Sequence, residues 1–220
     1  MSVTSPLSPT QRSTVRRYRE RARTDRTELY AVLDEALICH FGLLSAGGPL
    51  VLPTCFGRRD DVLYLHGSTG ATSLSTMAGA PVCVTVTLLD GLVYARSVMH
   101  HSANYRCAVI QGEARPVLDP DERLAALRAI VEHTTPGSWD HARQPSRKEL
   151  AATSVLALDL TEASVKVRNG PPGDDSEDVE AATAWAGVLP VRTTFGQPRP
   201  CPLLPDGSAV PEHVAAHQRG

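Results

Sequence analysis

The stretch from Val82 to Val117 most constrains the fold, because Val, Ile and Leu alternate there with Thr, Tyr and Arg. Alternation with period two belongs to strands that bury one face and leave the other free for polar contacts. Asp90-Gly91 falls between two such runs, and both residues tolerate positive φ, so the pair predicts a hairpin turn. At one end the segment carries an unusual density of polar and ring-bearing side chains: Arg96, Ser97, His100, His101, Ser102, Asn104, Tyr105 and Arg106. The strands supply a frame, and the polar cluster has the look of a site.

The chain of 220 residues, 42% hydrophobic and 21% charged, can bury a real core, which excludes a disordered protein. A formal net charge of -2 gives no reason to expect nucleic acid or a membrane surface as partner. No segment approaches the roughly 20 apolar residues that a membrane span needs, and the polar N-terminus shows no secretory signal. Five cysteines, odd in number and widely spaced, read as reduced, buried thiols of a cytoplasmic protein.

Residues 1–24, rich in Ser, Thr, Pro and Arg, read as a flexible arm. Leu29, Val32, Leu33, Ala36 and Leu37 then fall at helical spacing, with Asp25 and Glu28 in the first turn. Residues 38–44, 49–56 and 62–66, separated by short turns, predict an antiparallel meander. A short helix is expected over 70–78. Asp119-Pro120-Asp121-Glu122 opens a second helix, with Asp119 as N-cap, Pro120 in the first position and Glu122 as the reciprocal capping residue. Residues 134–144 read as a loop containing Trp139, and Ser146 with Glu149 predicts a capped turn. Two last strands cover 154–160 and 163–167. Asp174 to Glu180 reads as a solvated acidic face, followed by an apolar island at 185–190. Some eight strands with two or three flanking helices predict a mainly β protein, an antiparallel barrel closed or nearly so.

Several strings then resemble a known family: Leu63 to Ser68, Asp90 to Ser97, Ser102 to Arg106, Lys166 to Pro172, and Trp185 to Val188. Together they are similar to the pyridoxamine 5'-phosphate oxidase-like FMN-binding split barrels, on the side of the nitroimidazole-resistance proteins. The resemblance implies a split β-barrel domain over 25–192, a Pro-rich tail over 193–220, and a homodimer with FMN in a groove at the subunit interface. No Cys/His spacing in the chain matches a known ligand set, so no metal site is expected. A haem-binding variant of the barrel, with one histidine as axial ligand, is the alternative.

On this resemblance His66, Gly67, Ser68, Thr69, Ser73, Ser97, Tyr105, Arg106 and Trp185 are the expected cofactor residues. Gly67-Ser68-Thr69-Gly70 follows a strand and offers hydroxyls and open N–H groups to a phosphate, or is an ordinary turn with a helix cap. Where many members of the family place Lys or Arg after this turn, the chain has Ala71-Thr72-Ser73, which leaves the charge to Arg58, Arg96, Arg106, Lys166 or Arg168. Arg106 reads equally as a rim ion pair, His66 as a histidine bonded to a carbonyl, and Trp185 as a hydrophobic anchor. The implied function is a flavin-dependent oxidoreductase acting on a small molecule. A non-catalytic flavin- or haem-binding module, and a barrel that has lost its cofactor, are the competing readings.

Overall fold

The computed structural model describes residues 6–8, 10–70 and 79–217. Among these, ten strands, six α-helices and two 3-10 turns form a mainly antiparallel β fold. The helix expected over 70–78 lies almost wholly outside the described residues. The chain divides into two compact units, the first of residues 1–36, 85–110 and 161–193, the second of residues 37–84, 111–160 and 194–220.

In the first unit β1 (Ala22–Arg23), β9 (Ala163–Arg168), β6 (Ser102–Glu113) and β5 (Pro81–Tyr94) lie in that order, and β10 (Gly187–Pro190) pairs with β5. Helix α1 (Arg26–Glu35) starts where Asp25 accepts the Thr27 N–H, and it buries Leu29, Val32 and Leu33. Leu7, Ala36, Val86, Val93, Ala95, Ala108, Ile110, Ala163 and Val165 are also buried in this unit.

The second unit orders β2 (Ile38–Ser45), β3 (Gly48–Arg59), β4 (Val62–Ser68), β8 (Thr153–Asp159) and β7 (Arg115–Pro116). The meander predicted over 38–66 is therefore present. Helix α2 (Pro120–Thr134) packs Ala126 and Ile130 against Tyr64, Val117, Val155 and Ala157. Contact with β3 is backbone to backbone: a Cβ on Gly57 would stand 2.5 Å from the Ile130 nitrogen. Only a residue without a side chain lets helix and strand approach so closely. Shorter helices follow: α3 (Ser138–His141), α4 (Arg147–Ala152), α5 (Ser176–Ala181, in the first unit) and α6 (Glu212–Ala215).

Four expectations are corrected. Asp90-Gly91 makes no hairpin, because β5 runs unbroken through it. Pro190 of β10 pairs with Gly91, where a Cβ would come 3.0 Å from Val188 Cγ1 and 3.2 Å from the Leu189 oxygen, so this glycine serves close strand approach rather than a turn. The arginine-rich arm is docked: Leu7 and Ser13 are buried, the Leu7 and Ser8 amides donate to the Thr24 and Ala163 carbonyls, and Arg12 pairs with Glu162. Asp174 is no solvated acid, since its side chain is 2% exposed against Arg96. Glu122 does not complete a capping box; Asp119 accepts its N–H, but its carboxylate takes Arg115 and the Tyr64 hydroxyl.

All five cysteines are free thiols. Cys39 is buried, Cys55, Cys83 and Cys107 are half-buried, and Cys201 is exposed. Among the described residues no helix is long and apolar enough to cross a membrane.

Candidate functional sites

Strand β4 buries Leu63, Tyr64 and Leu65 and then delivers His66 to the wall of a cavity of about 290 Å³ within the second unit. Leu127 and Val131 of α2, Trp139 of α3, and Pro145 and Leu150 give this cavity apolar walls. The walls are fixed by local bonds. Glu132 of α2 accepts the Gly137 and Trp139 N–H groups at 2.7 and 2.9 Å, which satisfies the start of α3. Ser146 and Glu149 form the predicted capping box of α4, and Glu149 also holds Arg143 through two bonds of 2.8 and 2.9 Å. Arg143 keeps the Glu149 carboxyl well below the usual carboxylate range. The His66 ring is accessible from the cavity, yet the surrounding protein displaces enough water to lower its pKa, so the neutral imidazole is favoured.

Gly67, Ser68 and Thr69 follow at the end of β4, and Ser73 lies outside the described residues. Two N–H groups of the turn already have acceptors: Thr69 donates to the Ala152 carbonyl at 2.9 Å and Gly70 to Ser68 Oγ at 3.1 Å. Among the described residues no acceptor takes the Ser68 hydroxyl proton.

Ser97, Tyr105, Arg106 and Trp185 belong to the first unit. Ser97 Oγ accepts the Met99 N–H at the start of the 3-10 turn Val98–His100. Trp185 is 69% exposed, and its indole lies over Gly187, where a Cβ would fall 2.7 Å from Cζ2. Arg106 is captured by Glu35 and by Asp90, with bonds of 2.8 Å and 2.7 Å, and these acids raise its pKa above the ordinary guanidinium value. An anion would have to compete there with two carboxylates. Arg96 is similarly held by Asp174, and Arg58 donates to the Asp60 carbonyl.

Lys166 and Arg168 differ, since no carboxylate among the described residues pairs with either. Arg168 is anchored by buried Asn104, whose Oδ1 also accepts the Gly170 N–H at 3.2 Å, and it donates to the Pro171 carbonyl. Sequence reasoning left out Tyr18 and Arg21, because the arm was set aside as flexible, and it left Trp139 in a loop. His100, Asp175 and Asp178 bring their ligand atoms within 4.8 Å of one another at the surface, with His100 Nε2 3.9 Å from Asp175.

Residues 25–167 match the family described as pyridoxamine 5'-phosphate oxidase. The chain belongs to the pyridoxamine 5'-phosphate oxidase family. It is 39% identical to the flavocytochrome Anf3 of Azotobacter vinelandii, with a TM-score of 0.89 over 95% of this chain and 97% of that one. It is 38% identical to the FAD and haem binding protein of Mycobacterium smegmatis, with a TM-score of 0.84 over 88% of this chain and 95% of that one. A putative 5-nitroimidazole antibiotic resistance protein of Bacteroides thetaiotaomicron, 23% identical with a TM-score of 0.55 over 66% of this chain and 86% of that one, shares the fold. No curated protein matches. The split-barrel fold expected from the sequence is thus that of this family.

Proposed function

We propose that this member of the pyridoxamine 5'-phosphate oxidase family is a flavin- and haem-binding redox protein. The observation that carries the reading is His66, a neutral imidazole at the wall of an apolar cavity, in a chain 39% and 38% identical to a flavocytochrome and to an FAD and haem binding protein. That donor set fits a haem: an uncharged nitrogen for the iron, aliphatic and indole surface for the porphyrin, and Arg143 with N–H donors to spare for a propionate. The flavin is taken as FAD rather than FMN, following the Mycobacterium smegmatis relative. Flavin and haem together would supply two-electron and one-electron chemistry, which suits an oxidoreductase acting on a small molecule. What the chain's own residues would do is present a neutral nitrogen at the cavity wall and offer Arg143 to an anionic group.

Purified protein should show flavin absorbance together with a Soret band. His66→Ala should lose the Soret band and keep the flavin bands. A colourless protein that takes up neither haem nor FAD when they are added would end this reading, whereas bound cofactors that NADH, NADPH and dithionite reduce without turnover of any acceptor would make it a carrier. We also place it in the cytoplasm, a reading supported by its free thiols. A homodimer is the working form, supported by the exposed apolar pair Val98 and Met99, 78% and 83% accessible.

A further inference from the structure

Within the first unit the docked arm lays Tyr18 and Arg21 beside β9. The Arg21 guanidinium carbon stands 4.0 Å from the Tyr18 ring centroid, that of Arg17 5.0 Å, and the Lys166 ammonium 5.5 Å. Lys166 and Arg168 are two apart on β9, opposite Cys107 and Tyr105 of β6, so all four occupy one face of the sheet. Ala22 of β1, paired with Lys166, adds only a methyl group there. Four cations therefore share a small area, and the nearest acid is Glu20, 3.7 Å from Arg21. Burial and the charge of Arg21 pull the Arg168 pKa below its ordinary value, so these like charges disfavour one another.

Two features separate this cluster from a solvated basic surface. Arg168 is fixed by buried Asn104 and by the carbonyls of Gly170 and Pro171, which aims it rather than letting it wander. Tyr18, a bulky residue, is held at φ 55, a left-handed conformation that a side chain of this size rarely adopts. The strain places a half-exposed phenol ring among the cations. A ligand that relieves the repulsion must be anionic, and a phosphoanhydride, with two negative charges on adjacent phosphates, can meet several of these cations at once.

We infer that Arg17, Arg21, Lys166 and Arg168, with Tyr18 and Tyr105, form a binding site for the phosphoanhydride of a dinucleotide. Two sources carry that group, the flavin dinucleotide and a nicotinamide dinucleotide donor. The site itself stands without the redox reading; only the choice between sources rests on it.

The test uses the full-length protein as purified and the double variant Arg21→Gln/Lys166→Gln, with Arg128→Gln of α2 as a control for charge. Inorganic pyrophosphate is titrated by calorimetry at two salt concentrations, and flavin content, haem content and the KM for NADH and NADPH are measured alongside. Removing two cations should weaken pyrophosphate binding on the order of tenfold or more, with less dependence on salt, since each charge-assisted bond is worth about one decade. Loss of flavin with the Soret band intact assigns the site to the flavin's phosphates. Retained cofactors with a raised KM and unchanged kcat assign it to the donor. Where flavin already fills the site, pyrophosphate is expected to compete with FAD in reconstitution instead of binding directly. The variant Arg21→Gln/Lys166→Arg, which keeps a charge at position 166, should recover part of the effect, which a folding defect would not allow. Unchanged pyrophosphate binding or competition, flavin content and KM in the double variant overturn the proposal. A colourless protein that still binds pyrophosphate through these residues overturns only the redox reading.

Discussion

His66 and Arg106 illustrate how differently a side chain and its partners are encoded. Burial disfavours the charged imidazole, so the His66 pKa in the folded protein lies below the ordinary value of about 6.5. Between the two values the unfolded chain binds more protons. Stability therefore falls as the pH drops through this window and is fully present above about 6.5. In protein free of cofactor, lowering the pH from 7.5 to 5 should cost the wild type more stability than it costs His66→Asn, as read from urea midpoints. Equal losses would mean that the ring is as well solvated as a free histidine. For Arg106→Gln, removal of the guanidinium leaves Glu35 and Asp90 facing a neutral amide, and a loss of about 1–2 kcal/mol is expected. The place of His66 near the end of β4 was legible because its strand pattern is local. The capture of Arg106 was not, since Glu35 lies 71 positions away along the chain and no periodicity records that meeting.

At the scale of elements, the features that could be read are those written within a few residues. The Asp119-Pro120 helix start and the Ser146/Glu149 capping box are present as the sequence predicts, because a cap is a bond between near neighbours. Ser146→Ala should cost about 1 kcal/mol and loosen α4, which lines the His66 cavity. Calorimetric melting would measure the loss, and faster hydrogen exchange at Glu149 would locate it. The failures have the opposite cause. Asp90-Gly91 has the chemistry of a turn, yet β10 arrives from far along the chain and uses the same missing side chain. Gly57 raises a similar problem, as nothing local shows that a helix backbone will lie against it. Its replacement by Ala forces main chain against main chain at Ala129 and Ile130, and a destabilisation of about 1–3 kcal/mol is expected in urea unfolding.

At the scale of the molecule, fold and family were legible because the matching strings are spread along the barrel, while the cofactor set turns on side chains that meet only in the folded chain. The docking of the arm belongs to the same class: its arginines suggested a tail, but Leu7 and two backbone bonds hold it to the first unit. If the protein works as a dimer, light scattering in solution should give twice the monomer mass, and Met99→Glu should shift the population toward monomer. The thiols differ in reactivity with their place in the fold. Burial pushes the Cys39 thiol up to about 12 and raises that of Cys107 as well. Since the thiolate is the reactive form, Cys39 at neutral pH presents on the order of one part in 10⁵ to an attacking peroxide. Oxidative damage should then begin at exposed Cys201, in the tail, before it reaches Cys39 and Cys107.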